Sequence, residues 1–534
     1  MPGGWCLSFP TGRTSGTTKS AAAAVAAVAA ATALLLEVRR RSEKRRRSAA
    51  RKGGWEKVKL LPSESSFVVR TSPPMSTITF FEAASIEDVN TARSFFESRA
   101  IAIVNANPWL SGFLDADDDD DESKGGNLAL FVPPKDGGDN NNNNSGSSSP
   151  HFSVLDDSLG SLPEDDYHSM VEALGPVLIG TTDEHVASLD NDDDDDSSSW
   201  EPLWKVAFVP LTTNTNTTDG GGGTPHRFAL VVSGNHTLLD GHGYYRLFNM
   251  LSSKEPVVGL SPVRNHDLGP AIDTATGLEP SLLAEPPLGF VLGFLAATVR
   301  NAVFPRTTSV GVVISRDWIR RRKEAYRESV ASSATASSSG GPPPPPPFVS
   351  TNDLVVSEFC RRTGCDVALM AINLRGKVAG CTDDLVGNYE HLIGYTGRDC
   401  GSPADIRKSV TGPVYERSGA AIAGDEMPTG TDHALRCTYA VTTSWATFAR
   451  DLTVGGDSNS NSNHKTGAAT TKQSLHVPLF DFPKSTPAAS YSSMVVFRPR
   501  EGEIAILCGG TAELMEELAA SDMVGSVLYH PNRR

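Results

Sequence analysis

The sequence predicts a mixed α/β protein, because strand-like and helix-like segments alternate through both halves of the 534-residue chain. Short apolar runs rich in Val, Phe and Leu lie between polar stretches, as buried strands usually do. Other segments carry apolar residues at helical spacing and begin with residues that cap helices. Hydrophobic residues make up 39% of the chain, and the composition excludes collagen-like, disulfide-scaffold and multi-pass membrane proteins.

The charge is unevenly distributed along the chain. Lys and Arg number 48 against 63 Asp and Glu, which gives a formal net charge of -15. This excess of acid argues against a general nucleic-acid binder, because nucleic acids are themselves anionic. Residues 1–53 nevertheless hold eleven basic and two acidic side chains, a net +9, so the remainder carries -24.

The N-terminal segment resembles an address for a membrane or an organelle. An uncharged 17-residue run, Ser20–Leu36, is followed by nine basic residues between Arg39 and Lys52. The run is at the short end of what spans a bilayer, and alanine contributes little to insertion. Two interpretations stay open: a membrane anchor that leaves the folded body in the cytosol, or a presequence that is cleaved on import into an organelle.

Long polar tracts interrupt the chain, and we predict that they are disordered loop insertions, since they cannot bury enough apolar surface to offset the entropy of ordering. Removing them and the N-terminal head leaves on the order of 370 residues, enough for two domains. We predict an N-terminal targeting or anchor segment with a basic linker over 1–66, and two domains over 67–305 and 306–534.

The first half contains one long helix and several strands. The helix is predicted over Ser85–Ala106, where Phe95, Phe96, Ala100, Ile103 and Val104 recur near helical spacing. Strands are predicted over Leu128–Val132, Trp204–Leu211 and Arg227–Ser233. The apolar run Gly289–Val303 is interpreted as a buried helix, with contact to a membrane surface as the alternative.

The second half opens with a helix-capping pattern. Ser350 can cap the helix that follows, and Asp353 can return a hydrogen bond three residues later. The predicted helix covers Leu354–Arg362. Predicted strands follow, in chain order, over Asp366–Asn373, Met494–Arg498 and Glu503–Cys508.

The cysteines indicate reduced thiols rather than a disulfide framework or a zinc site. They are seven in number and contain no CxxC pair. Cys360 and Cys365 are separated by four residues, but no second close pair completes a zinc-like set. The seven are Cys6, Cys360, Cys365, Cys381, Cys400, Cys437 and Cys508.

The segment Phe228–Leu251 carries the most informative pattern. An apolar strand ends at Gly234, a polar turn holds His236 and Asp240, and a helical pattern follows. This order places His236 at a strand end, where a substrate can reach it. Neutral imidazole titrates near pH 6.5 and accepts a proton at neutral pH, so the pattern indicates a general base. A carboxylate four residues later can turn inward, pair with a cation and hold the loop.

The HxxxD spacing alone permits two other interpretations. His236 can be an ordinary hydrogen-bonded loop histidine. Alternatively, His236, Asp240 and His242 can be metal ligands, although no second compact His/Asp cluster in the sequence completes such a site. We expect no metal.

His236-Thr-Leu-Leu-Asp240-Gly241 resembles the HxxxDG signature of the chloramphenicol-acetyltransferase-like superfamily, which includes BAHD acyltransferases, wax ester synthases and peptide-synthetase condensation domains. Two positions depart from the family pattern: Asn235 stands where many relatives have a second histidine, and Asp481-Phe482-Pro483 lacks the rest of DFGWG. Further matches follow in the family order, at Asn107–Leu110 (NPxL), Ser350–Asp353 (SxND), Ile372–Gly376 with Val386–Tyr389 (NxR…GN) and Thr442–Trp445 (TSW).

The resemblance implies two similar domains side by side, with a channel between them and His236 at its middle. His236 would take the proton from an alcohol or amine as it attacks the thioester of acyl-CoA, which is a co-substrate and not a bound cofactor. Asp240 and Gly241 would hold the loop, with Arg375 as the partner of Asp240 across the domains.

Supporting residues follow from the same family positions. Asn388 would shape the loop under the channel, and a hydrogen-bond donor is needed for the oxyanion. The candidate donors are Thr443, Ser444 and Trp445.

Competing functions remain at this point. One is a non-catalytic protein that binds a lipid or metabolite on the same fold, and another is a condensation-type enzyme that uses a carrier-protein thioester. A serine hydrolase is disfavoured, because no G-x-S-x-G turn follows a credible strand. As partners we expect acyl-CoA and a small-molecule acceptor, and no nucleic acid. We expect a monomeric protein, and contact with a membrane through residues 20–36 if that segment is an anchor.

Overall fold

The computed structural model describes residues 54–117, 127–134, 149–155, 162–188, 201–211, 226–276, 307–336, 346–411, 438–455, 471–480 and 492–531. These residues form a mixed α/β structure, so the predicted fold class is confirmed. The predictions for residues 20–36, for Gly289–Val303 and for the long polar tracts fall outside the described residues, wholly or nearly so. Cys6, Cys437 and Asp481–Pro483 also lie outside them.

The chain separates into two compact units, residues 1–55 and residues 56–534. The first unit is described only at Gly54 and Trp55. The second contains the elements below, including a strand at Glu56–Lys59 and the buried side chain of Glu64. The domain boundaries at 66/67 and 305/306 stay predictions.

Fifteen strands and eleven α-helices are present in the described part of the chain. The strands are β1 (Glu56–Lys59), β2 (Met75–Ala83), β3 (Phe113–Ala116), β4 (Leu128–Val132), β5 (Phe152–Val154), β6 (Trp204–Leu211), β7 (His226–Gly234), β8 (Thr307–Ile314), β9 (Val367–Asn373), β10 (Glu390–Thr396), β11 (Tyr439–Ser444), β12 (Thr471–Pro478), β13 (Ser492–Phe497), β14 (Ala505–Thr511) and β15 (Val524–Tyr529). The helices are α1 (Phe67–Arg70), α2 (Ile86–Ala106), α3 (Tyr167–Leu174), α4 (Thr182–Ser188), α5 (Gly241–Asn249), α6 (Gly269–Thr276), α7 (Arg316–Ala336), α8 (Thr351–Thr363), α9 (Gly397–Cys400), α10 (Pro403–Val410) and α11 (Ala512–Ala519).

The strands form three sheets. A five-stranded sheet has the order β12-β2-β7-β6-β5, a seven-stranded sheet has the order β10-β9-β11-β13-β14-β8-β15, and a three-stranded sheet has the order β1-β4-β3. Both large sheets are mixed, because β5 runs parallel to β6, and β11 runs parallel to β9 and β13. The five-stranded sheet takes its edge strand, β12, from the second half of the sequence.

Strand β12 also contacts α5, the helix that follows the HxxxDG motif. The buried imidazole of His476 in β12 contacts Thr79 Oγ1 of β2 at 2.9 Å and the hydroxyl of Tyr245 in α5 at 3.0 Å. Both ring nitrogens therefore have partners, which satisfies the polar atoms of a fully buried histidine. The result is that α5 is fixed against a strand from the far half of the chain.

Predicted elements with strong local signals have the expected bounds. Helix α2 begins after Ser85, whose hydroxyl accepts a hydrogen bond from the Asp88 backbone N–H. Phe96, Ala100 and Ile103 of this helix are fully buried, as the helical spacing predicted. Strands β4 and β6 coincide with their predictions, β7 extends one residue beyond its prediction at each end, and β9 begins one residue later than predicted.

The capping box predicted for α8 is present in full. Ser350 Oγ accepts from the Asp353 backbone N–H at 3.2 Å, and Asp353 Oδ2 accepts from the Ser350 backbone N–H at 2.6 Å. Two backbone donors at the helix start are thus satisfied by side chains.

The two last predicted strands are shifted, β13 by two residues at its start and one at its end, and β14 by two residues at its start and three at its end. Met494–Arg498 is observed as β13, Ser492–Phe497, and Glu503–Cys508 as β14, Ala505–Thr511. The shift of β14 arises because its glycine-rich end pairs with the start of β8, where Gly510 lies opposite Thr308. Hydrophobic periodicity in one strand does not show how far its partner extends.

Three apolar clusters form the core. The first packs α2 and α5 against the five-stranded sheet, and the second packs α8 and α11 against the seven-stranded sheet. The third contains residues of both sheets, such as Phe80 of β2 and Leu507 of β14. No helix of the described residues is long and apolar enough to cross a membrane.

Candidate active site

The HxxxDG motif lies in a turn between strand β7 and helix α5. The strand ends at Gly234, and the helix begins at Gly241 with Asp240 as its N-cap. Asp240 Oδ1 accepts a hydrogen bond from the Gly243 backbone N–H at 2.8 Å. Capping explains why the turn ends where it does, because a carboxylate satisfies free N–H groups at a helix start.

Asp240 forms a buried ion pair with Arg375. The Nη1 atom of Arg375 lies 2.6 Å from Asp240 Oδ2, and the two side chains are 0% and 3% exposed. The same carboxylate oxygen accepts from the Tyr389 backbone N–H at 3.1 Å. Both oxygens of Asp240 are therefore occupied, and the carboxylate links the motif turn to the chain around residues 375–389.

Arg375 is held on every side. Its Nε donates to the Leu385 carbonyl at 3.0 Å and its Nη2 to the Gly387 carbonyl at 2.9 Å. The guanidinium also lies 5.2 Å from the centre of the Tyr389 ring, within the range of a cation–π contact. A guanidinium with these partners is a fixed structural cation.

The surroundings of Gly387 and Asn388 explain why the sequence has a glycine followed by an asparagine at this point. Gly387 has φ 132°, and a Cβ at this position would lie 2.7 Å from Arg264 Nε, so a larger residue does not fit. The amide Nδ2 of Asn388 donates to the carbonyls of His236 and Thr237, each at 2.8 Å. Asn388 thus holds the backbone of the motif turn.

A second buried ion pair supports this loop, and the sequence analysis did not identify it. Arg264 Nε lies 2.9 Å from Glu64 Oε1, and both side chains are 0% exposed. Glu64 Oε1 also accepts from the Asn388 backbone N–H at 2.9 Å, while Arg264 Nη1 donates to the Val386 carbonyl at 2.8 Å. The pair is separated by 200 residues in the chain, so no local pattern indicates it.

His236 is a half-buried residue of the turn. Its Nδ1 is buried without a hydrogen-bond partner among the described residues, and no described residue hydrogen-bonds to Nε2. Asn388 Oδ1 is also buried and has no hydrogen-bond partner in the described part of the chain. Burial lowers the pKa of His236, against the opposing effects of its own backbone carbonyl, the negative charge of Asp240 and the Asn388 side chain. The ring is therefore neutral at pH 7.

A small cleft lies beside the motif turn. His236 itself is not one of its lining residues. The indole of Trp445 packs against Gly241, where a Cβ would lie 3.1 Å from Trp445 Cδ1, and this contact explains the glycine of the motif. The lining residues are Asp240, Gly241, His242, Ala371, Ile372, Asn373, Glu390, Thr443, Ser444, Trp445 and Phe448.

The three candidate oxyanion donors lie together in this cleft. The hydroxyls of Thr443 and Ser444 and the indole N–H of Trp445 make no hydrogen bond within the described part of the chain. The Trp445 backbone N–H, in contrast, donates to the Val496 carbonyl at 2.8 Å and fixes the end of β11. The cleft therefore presents donors that a ligand can use.

His242 and Glu390 are titratable cleft residues that the sequence analysis did not select for catalysis. Burial lowers the pKa of His242 to about 4, aided by the positive charge of Arg375, and both ring nitrogens are buried without a described partner. Burial raises the pKa of Glu390 to about 8, aided by the negative charge of Asp240 and opposed by Arg375. At pH 7 both side chains are uncharged.

The sequence contained a signal for these two residues, although a weak one. His242 is two residues beyond Asp240, and Glu390 directly follows the glycine–asparagine–tyrosine segment. The interpretation of His236, Asp240 and His242 as metal ligands is not supported, because among the described residues their ligand atoms do not form a group close enough to share an ion.

Replacing Glu390 with glutamine is expected to make the stability of the protein less sensitive to pH. The folded pKa of about 8 lies above the ordinary value of 4.5, so the folded state keeps a proton that the unfolded chain releases between these values. The stability that this proton contributes is complete below pH 4.5 and is lost as the pH rises towards 8.

The measurement is urea unfolding of both proteins at several pH values between 4.5 and 8. The variant should gain stability relative to the natural protein as the pH rises. Glu82→Gln, at an exposed position of β2, is the matched control and should show no such trend. A constant difference for Glu390→Gln across the range would contradict the raised pKa.

No protein-family model matches the chain, and no curated protein matches it. Among solved structures, it is similar to TRI101 of F. sporotrichioides complexed with coenzyme A and T-2, with 14% identity, coverage of 88% of this chain and 99% of that chain, and a TM-score of 0.49. It is also similar to the TRI3 trichothecene 15-O-acetyltransferase from Fusarium sporotrichioides, with 10% identity, coverage of 87% and 95%, and a TM-score of 0.47.

A third similar structure is the first condensation domain of the calcium-dependent antibiotic synthetase, with 9% identity, coverage of 86% and 91%, and a TM-score of 0.44. These neighbours include an acetyltransferase and a condensation domain, two kinds of protein that the sequence resemblance named. At this level of similarity the likeness concerns the fold, and the chemistry of this chain depends on its own residues.

Proposed function

We propose that the protein is an acyltransferase that moves an acyl group from a thioester, acyl-CoA, to an alcohol or amine. The observation that carries the proposal is the division of roles in the motif. Asp240 is fully occupied by Arg375 and by two backbone N–H groups, whereas Nε2 of His236 has no hydrogen-bond partner among the residues that the structure describes. Asp240 is thus a positioning residue, and His236 is the base.

The lowered pKa of His236 suits this role, because a general base must be unprotonated before the reaction. The tautomer matters too, since Nε2 accepts a proton only when Nδ1 carries the ring hydrogen. We assign the orientation of the ring to Asn388, whose buried Oδ1 is free to accept from Nδ1–H and whose amide already holds the His236 carbonyl. Asn388 is therefore a positioning residue for the base.

The proposed reaction is direct transfer in a ternary complex. The acceptor O–H or N–H gives its proton to His236 Nε2 while the acceptor oxygen or nitrogen attacks the thioester carbonyl carbon. The C=O becomes a tetrahedral oxyanion, which then expels the thiolate of CoA as the carbonyl re-forms. The imidazolium returns its proton to the thiolate, so the products are an ester or amide and the free thiol.

The cleft supplies the remaining parts of the proposal. Trp445, Thr443 and Ser444 offer donors for the oxyanion, and donors of this kind commonly account for a large share of catalysis. His242 and Glu390 are neutral at pH 7, so the cleft is suited to an uncharged acceptor. The organisation into halves 67–305 and 306–534, and a monomeric state, are part of the same proposal.

A second candidate function is binding without catalysis. The observation that favours it is that His236 does not line the cleft, although Asp240, Gly241 and His242 of the same turn do. A protein of this kind would hold a lipid or small metabolite against Trp445 and Phe448. A carrier-protein thioester in place of acyl-CoA would leave the chemistry of the first proposal unchanged.

The deciding experiment incubates the full-length protein with acyl-CoAs of several chain lengths and with pooled alcohols and amines. Mass spectrometry of the products and a thiol reagent for released CoA are the two readouts. Transfer predicts thiol release that requires the acceptor, together with a product whose mass identifies both partners. Thiol release that is the same with and without acceptors would contradict it, and retention of an unchanged ligand in native mass spectrometry would support binding alone.

A further inference from the structure

Three buried cysteines meet in the core of the seven-stranded sheet, and none of them lines the cleft described above. Cys360 lies in α8, Cys365 follows the end of that helix, and Cys400 ends the short helix α9. Their exposures are 2%, 4% and 0%. The three sulfur atoms all lie within 4.8 Å of one another, and those of Cys365 and Cys400 are 3.8 Å apart.

These distances are close to those between sulfur atoms that bind the same metal ion. Two sulfurs that each bind one metal ion at about 2.3 Å are separated by about 3.8 to 4.0 Å, depending on whether the ion has four or three ligands. The Cys365–Cys400 distance already has this value, and the third sulfur needs to move by at most about 1 Å. In a region of packed side chains, a rotation of one thiol provides such a movement.

The chain around the cluster is fixed by its own structure. Helix α8 ends at Gly364, which has φ 58°, and this left-handed residue turns the chain so that Cys365 faces back towards Cys360. Gly397 at the start of α9 packs on the Cys365 carbonyl so closely that a Cβ would overlap it. The two segments are thus held together without a contribution from the thiols.

We propose that Cys360, Cys365 and Cys400 form a buried three-sulfur site for a single thiophilic metal ion, of which Cu(I) is the best match. Soft thiolate ligands select Cu(I), zinc and iron–sulfur clusters. The described ligand residues of the group are three cysteines, an all-sulfur set without nitrogen or oxygen donors. Cu(I) binds three sulfurs, so this set suits it.

Binding removes protons from the coordinating thiols and releases them to solvent, with no change in the oxidation state of the metal or of sulfur. The proposal needs no oxidant or further reactant beyond Cu(I) itself. It also does not depend on the acyltransferase function, because none of the three cysteines lines the cleft beside the HxxxDG turn. The role that follows is structural: the ion would add a metal link between the end of α8 and α9, which backbone packing already holds close together.

The test uses the full-length protein, purified with a reductant that is removed under nitrogen. The protein is then titrated with Cu(I) in the presence of bathocuproine disulfonate, a coloured chelator that competes for the ion. We expect the natural protein to bind about one Cu(I) per chain. X-ray absorption spectroscopy at the copper edge should show only sulfur atoms bound to the ion. Cys365→Ser and Cys400→Ser should each lose this uptake.

Cys381→Ser and Cys508→Ser are the matched controls, because these cysteines are also buried but lie outside the group. Both should retain the ion. Uptake that is unaffected by Cys365→Ser and Cys400→Ser would overturn the proposal, as would failure of the natural protein to compete with the chelator. Nitrogen or oxygen neighbours in the absorption spectrum of the natural protein would overturn it too, and this measurement requires no variant to fold.

Discussion

Replacing His236 with alanine is expected to lower kcat/KM for acyl transfer by about 10² to 10⁴, the usual contribution of a positioned general base. The change removes the atom that accepts the proton and leaves the thioester and the donors of the cleft in place. The ion pair between Asp240 and Arg375 does not involve the imidazole, so the turn keeps its support. The measurement is the rate of CoA release with an acceptor identified in the screen.

The fold should survive this change. The ring of His236 makes no hydrogen bond within the described residues, and the turn backbone is held through its carbonyl by Asn388. His168→Ala is the matched control, because His168 is a partly exposed histidine in α3 that does not line the cleft. It should leave both the rate and the melting temperature unchanged. Full activity of His236→Ala in a folded protein would remove His236 from the mechanism.

The pH dependence of kcat/KM is a second test of the proposal that His236 is the general base. Because the pKa of His236 is lowered, the base stays unprotonated below the ordinary histidine value of 6.5. The acid limb of kcat/KM for the natural protein should therefore lie below pH 6.5. An acid limb above that value would show that another group, or a charged His236, controls the reaction.

Helix starts and turns could be predicted from the sequence because the residues that specify them lie within a few positions of each other. The capping box at Ser350 and Asp353, the helix start at Ser85 and the polar turn after β7 each depend on such short patterns. The partner of Asp240 is different, since Arg375 lies 135 residues away and was suggested by family position and not by spacing. The structure places the two side chains in contact.

Contacts between residues that are far apart in the sequence could not be predicted from it, and the reason is physical. Glu64 and Arg264 are ordinary charged residues in sequence, and only the fold buries them together beneath Asn388. Cys400 is 35 residues from Cys365, so the spacing suggested a lone pair of thiols where the structure has three. Glu390 likewise gains its raised pKa from burial and from Asp240, neither of which the sequence around it reveals.

Replacing Asp240 with alanine is expected to reduce the free energy of unfolding by about 3 to 5 kcal/mol, because it leaves the Arg375 guanidinium buried without its anion. The change also removes the cap of α5 and the acceptor of the Tyr389 backbone N–H. The turn that carries His236 then loses its ion pair with Arg375 and keeps the hydrogen bonds that Asn388 donates to the carbonyls of His236 and Thr237. Acyl transfer should fall together with stability, which chemical denaturation and CoA release measure.

Two further variants separate the causes. Asp240→Asn keeps an acceptor for the Gly243 backbone N–H but removes the charge, so its loss of stability should lie between those of Asp240→Ala and the natural protein. Asp317→Ala breaks an exposed ion pair with Arg320, where the side chains are 72% and 62% exposed, and should cost less than about 1 kcal/mol. An Asp240→Ala protein with an unaltered melting temperature would contradict the structural role, because burying the Arg375 guanidinium without its anion lowers the stability of the folded protein.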